Sequence, residues 1–392
     1  MKLLTLTTFP FNEPRHGGQH RVFNIVKKYE SLGHSVESVG ILGSRIYENQ
    51  KGFLAIPEQE DLAKQVDDTL FMEDVAIGRM FANSEPHFLS LASQIRSVPD
   101  AIHVEHPWLF EFACAYRKSV GKPDMKLIYG SANVEHKLKY SILKPHRSEL
   151  EASSAAEEVL ACELFAIKNA DAICCVSQQD MEWTRQFTTA PCVVALNGVS
   201  KRDATAAGVQ AASRISEHKK FALYCASGHP PNVTGFFDIF GAGLGCIAPD
   251  QLLVIAGSAG PSVMSHRLAS RTPGINSRLR AAGEVDEATL QGLLNAAHAI
   301  VLPITQGEGT NLKTAEALWA KKYIVATTKA MRGFETFKHA QGLHINDVPS
   351  DFLQSLQAVM SADPHEVALQ ELPSREEVLW ERTLLSLSDL LK

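Results

Sequence analysis

Short apolar runs alternate along this chain with stretches whose apolar residues recur at helical spacing. Lys2 to Thr8, Val36 to Leu42, Ala101 to Val104 and Lys126 to Tyr129 are such runs in the first half. Phe221 to Cys225, Leu252 to Ala256, Ala299 to Pro303 and Tyr323 to Ala326 are their counterparts in the second. Runs this short and continuous suit strands buried on both faces, which is the condition of a parallel sheet. Strand–helix alternation sustained through both halves therefore predicts an α/β fold with parallel sheets. At 392 residues the chain is long for one core and about right for two. Between the halves, SKRDATAAGVQAASRISEHKK (200–220) is small, polar and charged, and reads as a linker. The expected organisation is a first domain over 1–199, the linker over 200–220, a second domain over 221–373, and a terminal amphipathic helix over 374–392.

The totals exclude several classes. Hydrophobic content of 45% and charged content of 21% are ordinary for a soluble globular protein. A net charge of -6 argues against a nucleic-acid partner. Seven cysteines form no framework spacing, and Cys174 and Cys175 sit inside an apolar run as buried thiols. That usage fits a reducing compartment, and the expected location is cytoplasmic. The opening MKLLTLTTF carries three threonines and runs into Pro10 without a small-residue cleavage site, so it reads as the first strand. No stretch is long and apolar enough to span a bilayer. There are no internal repeats or low-complexity segments. Phe88, Leu91, Ile95 and Val98 recur at roughly helical spacing and predict a helix ahead of Pro99.

The stretch richest in chemistry is Gly307 to Thr327, GEGTNLKTAEALWAKKYIVAT, read as loop, helix and strand. Gly307 and Gly309 free the backbone to bend around a ligand. Asn311 is placed to cap the helix. Leu312, Ala315 and Leu318 mark its apolar face, and Lys321 and Lys322 suit its C-terminus. Glu308 and Glu316, eight positions apart, bracket the unpaired N–H groups of the helix start, a ready anion site. An anion site between two hydrogen-bond acceptors suits a ligand with phosphates and hydroxyls, as a nucleotide sugar has; an ordinary junction with two solvated glutamates has the same residues. A second β-loop-α unit places Gly17 and Gly18 ahead of a helix with Val22, Ile25, Val26 and Tyr29 on one face. A third candidate is the end of the Ala101 strand, where Glu105 and His106 are delivered to the edge at which open α/β sheets gather ligands. Asn133 and Glu135 follow the Lys126 strand, where they face a ligand or make an Asx-type turn.

Glu308-x7-Glu316 with Lys313 between, and the AEALWAKKYIVAT continuation, resemble the donor-site signature of GT-B glycosyltransferases of the retaining group 1, family 4 type. The GGQHRVFNIVKKYESLGHSVESV run is similar to the start of those enzymes, SANVEH to their HNVE segment, and ADAICCVSQQD to another of their strand–turn units. The resemblance spans nearly the whole chain. It implies two Rossmann-like domains with parallel sheets facing across a cleft, a nucleotide-diphosphate sugar as co-substrate, and no metal or other cofactor. It further implies that Glu316 holds ribose hydroxyls and Glu308 sugar hydroxyls. Gly309, Thr310, Asn311 and Leu312 supply donor contacts, and Lys313 supplies charge. Gly17 and Gly18 face the diphosphate, Glu284 and Val285 lie at the base, and His106, with Glu105 second, lies at the reacting sugar. Asn133 and Glu135 fall on the acceptor side, with the variable region 44–99, and the terminal helix crosses back to the first domain.

The chain also departs from that pattern. EGTN stands where EGFG is usual, Lys-Lys-Tyr replaces a Gly-x-Pro turn, and Ala132 replaces a histidine. After Gly228 the usual Arg and Lys are absent and His229 stands near the Arg position, so diphosphate charge falls to helix N-termini, Lys313, Arg15 or Arg332. The activity expected is transfer of a sugar to a hydroxyl of a glycan, a lipid-linked saccharide or a small acceptor. Peripheral contact with the inner face of a membrane stays open, with no strongly basic amphipathic helix to demonstrate it. The alternatives are a catalytically silent nucleotide-sugar binding protein or partner subunit, and a nucleotide-sugar epimerase. A glycosidase would need two opposed carboxylates, whereas Glu308 and Glu316 share one loop–helix unit.

Overall fold

The computed structural model describes residues 1–307, 309–365 and 372–392. The chain divides into two compact units, Met1–Leu196 with Thr383–Lys392, and Asn197–Arg382. Each is an α/β unit on a parallel sheet.

Among the described residues of the first unit, the strands are β1 (Lys2–Thr7), β2 (Ser35–Ile41), β3 (Phe53–Leu54), β4 (Ala101–Glu105), β5 (Lys126–Ser131), β6 (Ala172–Cys175) and β7 (Cys192–Val194), in the order β3-β2-β1-β4-β5-β6-β7. β1 pairs in parallel with β2 on one side and β4 on the other, with Leu3 opposite both Val36 and Ala101. The chain leaves β1 through the helix Gly17–Ser31, whose Val22, Ile25 and Tyr29 are buried, and enters β2 after Gly33 at φ 84°. Strand order runs one way from β1 to β3 and the other way from β4 onward. The crevice between the C-terminal ends of β1 and β4 is thus a topological switch point, the place where such sheets bind ligands.

The second unit repeats the plan. Its strands are β8 (Lys220–Cys225), β9 (Gln251–Ala256), β10 (Leu279–Gly283), β11 (Ala299–Leu302), β12 (Tyr323–Ala326) and β13 (Leu343–Ile345), in the order β10-β9-β8-β11-β12-β13. Its switch point lies between β8 and β11, which pair through Ala222 and Ala299. The loops leaving these two strands are 226–229 and 303–311.

Several elements differ from the sequence expectation. The short strands β3 and β13 are additional. Helices at Glu73–Asn83 and Glu85–Ala92 occupy part of the region 44–99, and Ile95 and Val98 lie beyond the second. Pro86 is compatible only with a first helical turn, so it separates the two. The supposed linker contains a helix, Ala206–Ile215, started by Thr205, whose hydroxyl accepts from Gly208 N–H at 3.1 Å. Its small residues serve packing: a Cβ on Gly208 would lie 2.1 Å from the Ala288 carbonyl, and one on Gly292 2.1 Å from the Gly208 carbonyl. The expected terminal helix over 374–392 is broken into short turns. The cause is backbone pairing. Val199 N–H donates to the Val378 carbonyl at 2.9 Å and Trp380 N–H to the Val199 carbonyl at 3.0 Å, which draws Leu379 into an extended conformation. Beyond it, Ser386 Oγ donates to the Val194 carbonyl at 2.6 Å within the first unit. Among the described residues no helix is long and apolar enough to cross a membrane.

Candidate active site

The first switch point stands on a buried chain of ionisable side chains. Arg21, on the buried face of the Gly17–Ser31 helix, donates from Nε to Glu105 Oε1 at 2.7 Å and from Nη1 to the Ala195 carbonyl at 2.7 Å. His103 Nε2 lies 3.0 Å from Glu105 Oε2, and its Nδ1 lies 2.9 Å from Tyr29 Oη. All four residues are 2% exposed or less. Burial opposes the charged forms of Arg21 and Glu105, but each reverses it for the other: the guanidinium is raised and the carboxyl is held well below the usual range. Both Glu105 oxygens are therefore committed inside the unit. Its carboxylate joins the Gly17–Ser31 helix to β4.

His106, the next residue, adopts φ 66°, a left-handed conformation costly for a side-chain-bearing residue. Its side chain is 14% exposed, its N–H donates to the Gly130 carbonyl at 2.9 Å, and its ring meets Phe9 edge-on at 5.7 Å. Nδ1 lies 2.8 Å from Glu135 Oε1, which also accepts from Asn133 Nδ2 at 2.9 Å. Burial acts against the imidazolium, and the Glu135 carboxylate overcomes it, so the His106 pKa rises. Glu135 is 4% exposed and is lowered in turn, with burial opposing and His106 prevailing. The Gly17–Ser31 helix starts here with no side-chain cap and no acidic residue in its first turn. A Cβ on Gly18 would stand 3.4 Å from Phe9 Cζ, so Phe9, His16, the glycine pair and His106 form one neighbourhood. His16 Nε2 lies 3.1 Å from Tyr47 Oη, and burial, then His20 and His106, pull the His16 pKa down to about 4. The sequence-predicted His106, Asn133 and Glu135 are brought together, with Glu135 Oε1 shared between the Asn133 amide and the His106 ring.

At the second switch point the loop ending in Asn311 is held by its neighbours. Gly307 and Gly309 take φ 109° and 69°, which only glycine adopts cheaply. Arg332 Nη1 donates to the Gly307 carbonyl at 3.2 Å and its Nε to the Gly309 carbonyl, so Arg332 is spent on the loop backbone. Asn197 Nδ2 donates to the Thr310 carbonyl at 3.2 Å. Asn311 precedes the helix Leu312–Ala320 as expected, but its side chain makes no capping bond. Glu308 lies outside the described residues.

Lys313 reaches from that helix to the first turn of the helix Pro230–Phe240, with Nζ donating to Asn232 Oδ1 at 2.7 Å. Asn232 is itself fixed, because its Nδ2 donates to the Ser227 carbonyl at 2.9 Å. The backbone approaches closely at Gly228, where a Cβ would lie 2.7 Å from Ser262 Oγ. The helix Pro230–Phe240 follows with prolines in its first two positions, so two of the amide donors that usually hold an anion at a helix start are missing. Lys313 thus stands against the start of that helix. Burial, then Lys313, lowers the pKa of His229.

Glu316, one turn beyond Lys313, is half-buried. Burial, then Glu287, pushes its carboxyl up to about 7, with Lys313 and Arg202 opposing. Burial pulls the Lys313 ammonium down to about 8, with Glu316 opposing. Glu287 opens the helix Glu287–Ala296, capped by Asp286, and pairs with Arg202. Glu284 is exposed and Val285 half-buried in the β10 loop just before it. Among the described residues no group of His, Cys, Asp and Glu is arranged to hold a metal ion.

Sequence reasoning missed Arg21, Glu163, Asn232 and the Arg202–Glu287 pair. Two of these left a signal. Arg21 shares a helical row with Ile25 and Tyr29, and Glu163 lies on the buried face with Val159, Ala166 and Ile167. A charge on an apolar face needs a partner. Asn232 and Arg202 left none, because their partners are distant in sequence.

Compared with known proteins, residues 222–362 match the family model described as glycosyl transferases group 1, so the second unit carries a glycosyltransferase domain of that group. No curated protein matches the chain significantly. Solved structures match over the whole chain. Sucrose-phosphate synthase from Thermosynechococcus elongatus is 14% identical, with a TM-score of 0.72, over 100% of this chain and 98% of that one. An alpha,alpha-trehalose-phosphate synthase (UDP-forming) from Burkholderia vietnamiensis is 12% identical, with a TM-score of 0.65, over 100% of both chains. Anabaena HepE in complex with UDP-glucose is 12% identical, with a TM-score of 0.61, over 100% of this chain and 99% of that one. The likeness establishes the fold as two parallel-sheet α/β units of the GT-B class.

Proposed function

We propose that the chain is a retaining, metal-independent glycosyltransferase of the family 4 type. It moves a sugar from a nucleotide-diphosphate sugar to a hydroxyl of a glycan, a lipid-linked saccharide or a small acceptor. The observation that carries this reading is the placement of Lys313 and Glu316 on one helical turn at a switch point, inside the matched domain. In this reading Lys313 neutralises the diphosphate and Glu316 accepts from ribose hydroxyls. Glu308 accepts from the sugar, and the Gly309–Leu312 backbone supplies further contacts. Gly228 admits the diphosphate closely, and Glu284 and Val285 border the base. Gly17 and Gly18 offer amide donors, and His106 meets the transferred sugar.

The reaction breaks the bond from the anomeric carbon to the diphosphate oxygen and forms one to the acceptor oxygen on the same face. The acceptor's proton passes to the departing diphosphate, so no carboxylate base is required. The protein's share is to orient the reactants and to stabilise charge on the leaving group. The family resemblance supports retention and the lack of a metal. HepE was solved with UDP-glucose, which makes that compound the first donor to test.

The rival reading is a silent nucleotide-sugar binding protein. The absent basic pair after Gly228 and the prolines at 230 and 231 favour it. A thermal-shift screen against nucleoside diphosphates and their sugars tests the donor site, because a ligand that binds only the native state raises the melting temperature. A shift with one diphosphate, larger with one of its sugars, is the expected result. No shift with any member would sink the assignment. Binding without turnover on any acceptor class would select the rival.

A further inference from the structure

We propose that Glu163 is a positioning residue for His106: it grips the first turn of the Glu135–Leu143 helix and so fixes the carboxylate that orients the imidazole. The proposal rests on the placement of His106 beside the transferred sugar; the grip does not. Glu163 lies in the helix Glu149–Asn169 and is 0% exposed. Its Oε1 accepts from Glu135 N–H at 2.6 Å and its Oε2 from His136 N–H at 2.9 Å. The same Oε2 lies 2.7 Å from His136 Nδ1.

The Glu135–Leu143 helix has no side-chain cap of its own, since Val134 stands at that position. Its first two amide donors are satisfied instead by a carboxylate from another helix. Ser or Asp at position 134 would satisfy a donor there locally, without burying a carboxylate. Burial indeed pushes the Glu163 carboxyl up, against the pull of the His136 ring and backbone. What the distant grip adds is position. With both N–H groups held, the Glu135 backbone has one place, and its Oε1 meets Asn133 Nδ2 and His106 Nδ1 together. A carboxylate at Nδ1 favours the proton there and leaves Nε2 as the ring's free corner. The charged groups that bear on the ring are Glu135 from its own helix, Glu105 from β4, Asp74 from the Glu73–Asn83 helix and His16 ahead of the Gly17–Ser31 helix.

The test is imidazole ¹⁵N NMR of His106 across pH in the full chain, for wild type, E135Q, E163Q and E163D. Glutamine offers one acceptor oxygen and turns an amide donor toward a backbone N–H. E135Q should lower the His106 pKa by about one unit or more, tenfold in the protonation equilibrium. E163Q should move it in the same direction by less, and E163D, which keeps the charge, by least. A His106 titration identical to wild type in both folded Glu163 variants, with E135Q shifted, would overturn the proposal; if E163Q fails to fold, E163D alone decides. Calorimetry with UDP and UDP-glucose adds a readout that a merely structural role would not move. E163Q should reduce the affinity difference between the two ligands and leave UDP itself unchanged. A His106 titration that moves while that difference stays supports the positioning role and refutes the placement of His106 at the sugar.

Discussion

The two switch points share a strand plan and treat charge in opposite ways. Beside β1 and β4, Arg21, Glu105, Glu135 and His106 are each displaced toward the charged form, because every one has an opposite charge within its own unit. Beside β8 and β11, Lys313, Glu316 and His229 are each displaced toward the neutral form, because burial outweighs what the unit offers them. Desolvation acts on both sets; only the supply of partners differs. The first arrangement is a completed structural network with one histidine at its edge. The second leaves a cation and a carboxylate incompletely compensated at the switch point, the pattern expected of the donor site proposed above.

The contrast can be broken by removing one charge from each side. Arg21→Met leaves Glu105 buried without its cation, and a loss of about 3–5 kcal/mol is expected in a urea titration of the whole chain. Lys313→Met removes a charge that burial already disfavours. Its urea midpoint should hold or rise, while calorimetry should show UDP affinity falling roughly 10- to 100-fold, about 1.4–2.7 kcal/mol. Equal stability losses in the two variants would erase the distinction.

The pH dependence of UDP binding sharpens it. Lys313 loses its proton as pH rises through about 8, so affinity should fall on the alkaline side. Glu316 takes up a proton as pH falls through about 7, and its hydroxyl-accepting role weakens on the acid side. Affinity should therefore peak between these values, with Glu316→Gln flattening the acid limb and Lys313→Met the alkaline one. A flat profile in the wild type would remove both residues from the site. The smallest effect belongs to Lys321, which ends its helix at φ 59° where the resembling family uses glycine. Lys321→Gly should stabilise by about 1 kcal/mol, read as a higher melting temperature with UDP affinity unchanged.

The parallel α/β architecture and the Gly307–Thr327 unit were legible because local period and turn chemistry specify them. Strand order was not, since nothing local tells β4 to lie beside β1. The helix at Ala206–Ile215 was misread because alanines and glycine that permit a close helix crossing have the same composition as a flexible tether. The terminal helix was misread because the pairing that breaks it joins Val199 to Leu379. At the site, Lys313 was legible as a charge, but its contact with Asn232 spans 81 positions and carries no local trace. The anchoring of Glu105 was not legible, because its partner Arg21 lies 84 positions away on the buried face of the Gly17–Ser31 helix.

The prolines at 230 and 231 have a consequence for the solution behaviour of the second site. They remove amide donors from the helix start, so in the proposed donor site the cation at this helix is the half-buried Lys313 ammonium. Mobile ions screen exposed charges over about 8 Å at physiological ionic strength and reach a half-buried one much less. If the site takes a nucleotide as proposed, its affinity should therefore fall less with added salt than that of a site built from surface arginines.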